Sequence, residues 1–167
     1  MRPSRDTSSG LAFERYASIE ATIKDLGYII NTRPHSKFKA IQRGKHFLGY
    51  LLPKHKLYDF VPHYRAFISR KLLPDNMVVF PEQKKAYVFE MKTQSTAGSA
   101  DEKLQTCDFK IKQYQKLLPS YEVHYIYILN DWFKKPMYKD VREYIKSIDN
   151  CDYLWYNDIR DYLGGIL

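Results

Sequence analysis

The chain has 167 residues, with 27 lysines and arginines against 19 acids and a net charge of +8. That length suits one domain with a real hydrophobic core. No apolar run nears the ~18 residues of a membrane span, and the cationic surplus favours a polyanionic partner. No leader-like segment is visible, so a soluble cytoplasmic protein without a membrane partner is expected. Cys107 and Cys151 form no Cys-x-x-Cys motif, and this usage fits a reducing compartment.

Residues 1–10 are polar. Ala12, Tyr16, Ile19, Ile23 and Leu26 then recur at helical spacing and predict an amphipathic helix over residues 11–26, stopped by Gly27. At 100° per residue, Glu20 lies roughly 80° from the centre of its apolar face and Glu14 roughly opposite that face.

From Leu26 to Tyr58 there is no acid at all. The stretch carries Arg33, Lys37, Lys39, Arg43, Lys45, Lys54 and Lys56, with His35, His46 and His55 and interleaved aromatic residues. A like-charged block is most often a solvated face. The size of this one, uncompensated by acids, fits a segment that tracks a phosphate backbone. It reads as a basic DNA-binding insertion over residues 27–62, placed between the first helix and the sheet. The three histidines lack zinc-ligand spacing.

Residues 63–70 (HYRAFISR) predict the first strand of the core, with Arg65, Arg70 and Lys71 adding charge beside the next segment. That segment, LLPDNMVVFPEQKKAYVFEMK, reads as a strand opening at Asp75, a polar turn over residues 80–85, and a second strand over residues 86–91. Side chains alternate across a strand. Tyr87, Phe89 and Met91 therefore face one way, and Val88, Glu90 and Lys92 the other. A hairpin brings Asp75 back towards Glu90 and Lys92. Two carboxylates that converge repel unless a cation sits between them. Hard oxygen donors suit Mg²⁺, which keeps several waters and takes phosphate oxygens as further ligands.

After a small-residue loop over residues 93–98, Ser99 and Glu102 form a capping-box pattern. It opens a predicted helix over residues 99–118, with Leu104, Cys107, Ile111, Tyr114 and Leu118 on its apolar face. Asp101 and Glu102 are read as helix-start acids. Lys103 and Lys110 share one flank, and Lys103 is a candidate phosphate contact. Residues 123–129 (VHYIYIL) predict a central strand, parallel to its neighbour across the helix. A loop, a helix over residues 137–148, a short strand over residues 151–156 and a last helix over residues 157–163 complete a C-terminal appendage from residue 131. The fifteen tyrosines are read as core and half-buried residues without assigned roles.

Pro74-Asp75 followed, after fourteen intervening residues, by Glu90-Met91-Lys92 resembles the PD-(D/E)XK signature of restriction-endonuclease-like nucleases. The stretch GSADEKLQTCDFKIKQY after it is similar to the same region of small type II restriction endonucleases. The resemblance covers roughly residues 70–118. It implies an α/β fold with an αβββαβ core, a mixed central sheet flanked by helices, and a catalytic core over residues 63–130. It further implies Mg²⁺-dependent cleavage of double-stranded DNA, a homodimer, and a restriction–modification context. Asp75, Glu90 and the carbonyl of Met91 would hold the metal, and Lys92 would position the attacking water. A glutamate on the first helix often reaches the metal in such enzymes, and helical geometry favours Glu20 for that part over Glu14. Two alternatives stand beside this reading. One is a repair, nicking or junction-cleaving nuclease with the same core. The other is a non-catalytic nucleic-acid-binding module in which Asp75 and Glu90 only close a salt bridge with Lys92.

Overall fold

The computed structural model describes residues 18–32, 37–96 and 98–167. Among the described residues seven strands form one mixed sheet whose spatial order is the order of the chain. β1 (Ile29–Thr32) opens the sheet, and β2 (Lys39–Arg43), β3 (His46–Leu51), β4 (Asn76–Phe80) and β5 (Lys85–Lys92) are each antiparallel to the strand before. β6 (Glu122–Leu129) and β7 (Cys151–Trp155) run parallel to β5 and β6 in turn.

Antiparallel neighbours need only turns, whereas parallel neighbours need crossovers. The crossover helices follow that division, while one short helix lies in the longer connection between antiparallel β3 and β4. α1 (Ile19–Asp25) precedes the sheet and α2 (Lys56–Phe60) lies between β3 and β4. α3 (Ala100–Leu104) and α4 (Cys107–Leu117) carry the chain from β5 to β6, α5 (Lys139–Ser147) from β6 to β7, and α6 (Ile159–Ile166) ends it. One sheet face packs Val88, Tyr125 and Tyr127 against Leu57 of α2, Leu104 of α3, Cys107 and Tyr114 of α4, and Ile145 of α5. The other packs Ile41, Phe89 and Ile128 against Ile19 and Ile23 of α1 and Ile159 and Leu163 of α6. The protein is therefore a mixed α/β fold, its sheet covered by helices on both faces.

Residues 63–70 are not a strand. They hold a 3₁₀ turn at Tyr64–Ala66, and Ile68 alone of that stretch is buried. The strand beside β4 is β3, drawn from the basic segment, with Tyr50 opposite Val79 and Leu51 opposite Val78. Residues 27–62 are thus no insertion beside the sheet; they supply three of its strands. Gly44, at φ 62°, closes the β2–β3 hairpin in a conformation only glycine adopts freely. Gly49 lets β3 approach β4 closely, since a Cβ there would lie 2.2 Å from the Val79 carbonyl oxygen.

The expected helix over residues 99–118 is two helices, broken at Gln105 and Thr106. The Thr106 hydroxyl donates to the Lys103 carbonyl at 2.7 Å and closes the first helix locally. Ser99 makes no capping bond, because its φ −86° and ψ 8° leave the extended region that an N-cap uses. The Glu102 N–H goes instead to Asp101 Oδ1 at 3.0 Å. The first helix is described from Ile19, with Ser18 as its N-cap accepting the Ala21 N–H at 3.1 Å; the expected portion at residues 11–17, with Glu14, lies outside the described residues. At the other end α6 runs through Gly164 and Gly165 rather than stopping before them, and β7 joins the sheet. Cys107 and Cys151 are free thiols, both buried on the same side of the sheet.

Candidate active site

The β4–β5 hairpin sets Asn76 opposite Phe89 and Phe80 opposite Lys85. The turn is closed by Lys84 at φ 56°. Asp75 precedes the first β4 residue, so the same antiparallel register carries it onto Glu90. Its side chain reaches along the ladder: Oδ2 accepts the backbone N–H of Met91 at 2.8 Å. In an antiparallel ladder a residue's N–H and C=O point to the same neighbour. The Met91 carbonyl therefore faces the Asp75 side as well. Tyr87, Phe89 and Met91 enter one core and Val88 the other, as the alternation predicts. Glu90 and Lys92 follow Val88 onto the face covered by α4.

There Glu90 meets two cations. Its Oε1 accepts from Lys92 Nζ at 2.7 Å and from Lys110 Nζ, on α4, at 3.3 Å. The three side chains are only 13, 16 and 23 % exposed, so the pairs are screened less than surface ones. Among the described residues Glu90 Oε2 has no hydrogen-bond or ion-pair partner. Two tyrosines close the floor. Burial, then the negative charges of Glu90 and Asp75, push the Tyr114 phenol well above its usual range. Burial and Glu90 do the same to Tyr125. Both remain neutral hydroxyls. Lys110 Nζ lies 5.8 Å from the centre of the Tyr125 ring.

The approach to Asp75 is clamped by Tyr58 of α2. Its hydroxyl donates to the Leu72 carbonyl and accepts the Leu72 N–H, both at 2.6 Å. Burial, the largest influence, pushes this phenol up to about 12. Lys54 N–H binds the Pro74 carbonyl at 2.9 Å, which ties the end of the basic segment to the Pro-Asp step. Beside Glu90 opens a cleft of about 490 Å³, with Arg70 and Lys71 on one wall and Lys110 and Gln113 on the other.

The remaining predicted site residues divide by position. Glu20 pairs with Lys24 at 2.8 Å and with Lys39. Burial alone would raise its pKa, but the two lysines outweigh that and hold the carboxyl below its usual value. α1 packs on the opposite sheet face from Glu90. Lys39 is at the Asp75 rim, since Lys39 lies opposite Leu51 and Leu51 opposite Val78, but on β2, three strands from β5. The structure thus does not bring Glu20 into the Asp75, Glu90 and Lys92 group. Arg43 and Lys45 sit at the β2–β3 turn, towards the far rim. Lys37 is exposed, and Lys56 pairs with Asp59 at 3.1 Å. Lys103 is exposed on α3 while its carbonyl accepts the Tyr127 hydroxyl at 3.0 Å. Arg33 lies outside the described residues. Sequence reasoning missed the approach of Lys110 to Glu90 and the Tyr58 clamp. Lys110 is carried to Glu90 by the packing of α4, which buries Ile111 and Tyr114 beside it.

Two carboxylates and one backbone carbonyl are hard oxygen donors at a water-accessible rim. Mg²⁺ takes one or two protein carboxylates and completes its shell with water and phosphate oxygens. Asp75, Glu90 and Met91 fit that demand, and among the described residues no group of three or more His, Cys, Asp or Glu side chains gathers as a fuller cage would need. No helix among the described residues is long and apolar enough to cross a membrane. The chain matches no protein-family model, no curated protein and no solved structure.

Proposed function

We infer that the protein is a Mg²⁺-dependent endonuclease acting on double-stranded DNA, of the type II restriction kind, working as a homodimer that presents two sites to the two strands. The observation that carries this is the meeting of Asp75, Glu90 and Lys92 at one sheet rim, with Asp75 bonded to the backbone of the strand bearing the other two. The order of elements is compatible with it: α1, five successive antiparallel strands β1–β5 with α2 between β3 and β4, a helical crossover and parallel β6. The αβββαβ core that the PD-(D/E)XK resemblance implies would use three of those five strands, β3–β5, with β1 and β2 added at the sheet edge.

In this reading Asp75, Glu90 and the Met91 carbonyl hold Mg²⁺, which supplies an activated water and neutralises charge on the phosphoryl group. Lys92, once its ammonium leaves Glu90 Oε1, would orient the attacking water and stabilise the hydroxide it becomes as its proton passes to bulk solvent. Lys110 stabilises the negative charge that gathers on the phosphate oxygens. Lys54, Arg70 and Lys71 border the same rim and attract the backbone.

A non-catalytic binding module is the second reading. It is favoured by the full pairing of Glu90 Oε1 with Lys92 and Lys110, which neutralises that oxygen without any metal. Incubation of plasmid and bacteriophage DNA with Mg²⁺, with EDTA, and with Lys92→Ala protein separates the two. Discrete fragments that vanish in both controls support the restriction enzyme, and a smear points to a repair or non-specific nuclease. Salt-sensitive binding without any cleavage leaves the module.

A further inference from the structure

We propose that the cleft beside Glu90 is a pocket for a single unpaired nucleotide of the DNA strand, stacked on Phe109. The proposal rests on the nuclease reading for its location but on separate residues for its chemistry. The cleft, at about 490 Å³, falls within the roughly 300–1,000 Å³ that small-ligand pockets occupy. Its rim holds two large apolar side chains that no core covers: Phe109 is 61 % exposed and Leu73 45 %. Both line the cleft.

An exposed phenylalanine on a helix is unremarkable alone. This one is ringed by positive charge. Lys110 follows it in sequence and reaches Glu90, and Arg70 and Lys71 stand across the opening. Neither Arg70 nor Lys71 has an ion-pair partner among the described residues. Lys71 instead lies over the rings of Tyr58 and Tyr64, 4.8 and 4.9 Å from their centres, and so is held in place. An apolar partner would find this charge costly. A nucleotide matches all of it, with a phosphate for the cations and a flat base for the ring. Gln113 adds the edge. It lines the same cleft, its carboxamide makes no hydrogen bond among the described residues, and it carries both a donor and an acceptor for a base edge. Paired bases cannot reach such a pocket. Occupancy requires a nucleotide that is flipped out or already unpaired.

The test measures binding in EDTA, where no hydrolysis occurs. Two labelled probes are compared, a fully paired duplex and the same duplex with one unpaired nucleotide. The wild type is expected to favour the second by about ten-fold, the scale of one base stacked on an aromatic ring. Phe109→Ala should collapse that ratio towards one, Phe109→Trp should restore it, and Gln113→Ala should make it depend less on which base is unpaired. A wild-type ratio near one overturns the proposal, and so does a ratio that Phe109→Ala leaves intact. Cleavage with Mg²⁺ is scored separately. Cleavage without the binding preference removes the pocket and keeps the nuclease, while preference without cleavage keeps the pocket and removes the nuclease.

Discussion

The Asp75 carboxylate accepts the backbone N–H of Met91 at 2.8 Å. The acid that precedes β4 is thereby fastened to the residue standing between Glu90 and Lys92. This one bond sets the spacing of the site, because the strand bearing Glu90 cannot slip against β4 without breaking it.

The bond separates two roles of Asp75. Asp75→Asn keeps an oxygen that can accept from Met91 and loses only the charge. Asp75→Ala loses both. On the proposed function, both variants drop Mg²⁺-dependent cleavage by on the order of 10²-fold or more. Only Asp75→Ala should also lower thermal stability, by about 1–3 kcal/mol for a part-buried N–H left without its partner. Equal melting of the two variants would show that the bond does not hold the hairpin.

Tyr58→Phe tests the clamp on the approach to Asp75. It removes a hydroxyl that serves Leu72 twice at 2.6 Å. A stability loss of about 1–3 kcal/mol is expected in urea unfolding, with a fall in cleavage greater than the fall in DNA affinity. The phenol is pushed up to about 12, so the clamp holds unchanged through neutral pH.

Gly49→Ala addresses the junction of the two halves of the sheet. The added Cβ would stand 2.2 Å from the Val79 carbonyl oxygen and 3.1 Å from the Phe80 ring. Backbone cannot yield as a side chain can, so β3 must move from β4. Overpacking of this kind costs about 1–3 kcal/mol, read as a lowered melting temperature. A neutral result would mean that β3 is not seated against β4 as described.

His124 makes stability depend on acid. It stacks on Tyr87 at 4.7 Å, with Glu122 Oε1 at 3.1 Å from its Nε2. Burial lowers its pKa below 6.5; Glu122 opposes that and Lys85 adds to it. A lowered folded value means that the neutral form is favoured on folding. Stability is then full above about pH 6.5 and declines as pH falls through the folded value. Urea midpoints at pH 7.5 and pH 5 should differ less in His124→Gln than in the wild type. An unchanged difference would assign the acid sensitivity to the carboxylates alone.

The site strands were legible because their pattern is strong. The alternation through Ala86 to Lys92 sorts the two faces correctly, and the acid after Pro74 marks where β4 opens. The apolar spacing of Leu104, Cys107, Ile111 and Tyr114 likewise marks the buried side of the crossover, although the break at Gln105 is invisible to periodicity. Charge misled elsewhere. Residues 39–51 place the turn signal Arg43-Gly44-Lys45 between two segments that carry apolar residues, which is a hairpin signal, but the density of lysine and arginine made the segment read as an arm. Once β3 is hidden, the aromatic stretch at residues 63–70 becomes the nearest substitute for a strand. Glu20 was judged from its angle on one helix, and that angle carries no information on which sheet face the helix covers. The meeting of Lys110 with Glu90, twenty residues apart, depends on how the crossover packs and has no local signature.

The coincidence of spatial order with chain order has a consequence in time. Each strand of this sheet lies beside the one made just before it, so no early strand waits for a late partner. The two halves of the site belong to a single hairpin, and Asp75 can find Met91 once Lys92 is free of the ribosome. The crossover that brings Lys110, and then β6, closes over a pair of strands already in register. A chain that grows from its N-terminus would therefore assemble its acids first and its covering helix second, the tight β4–β5 turn closing before the long β5–β6 crossover.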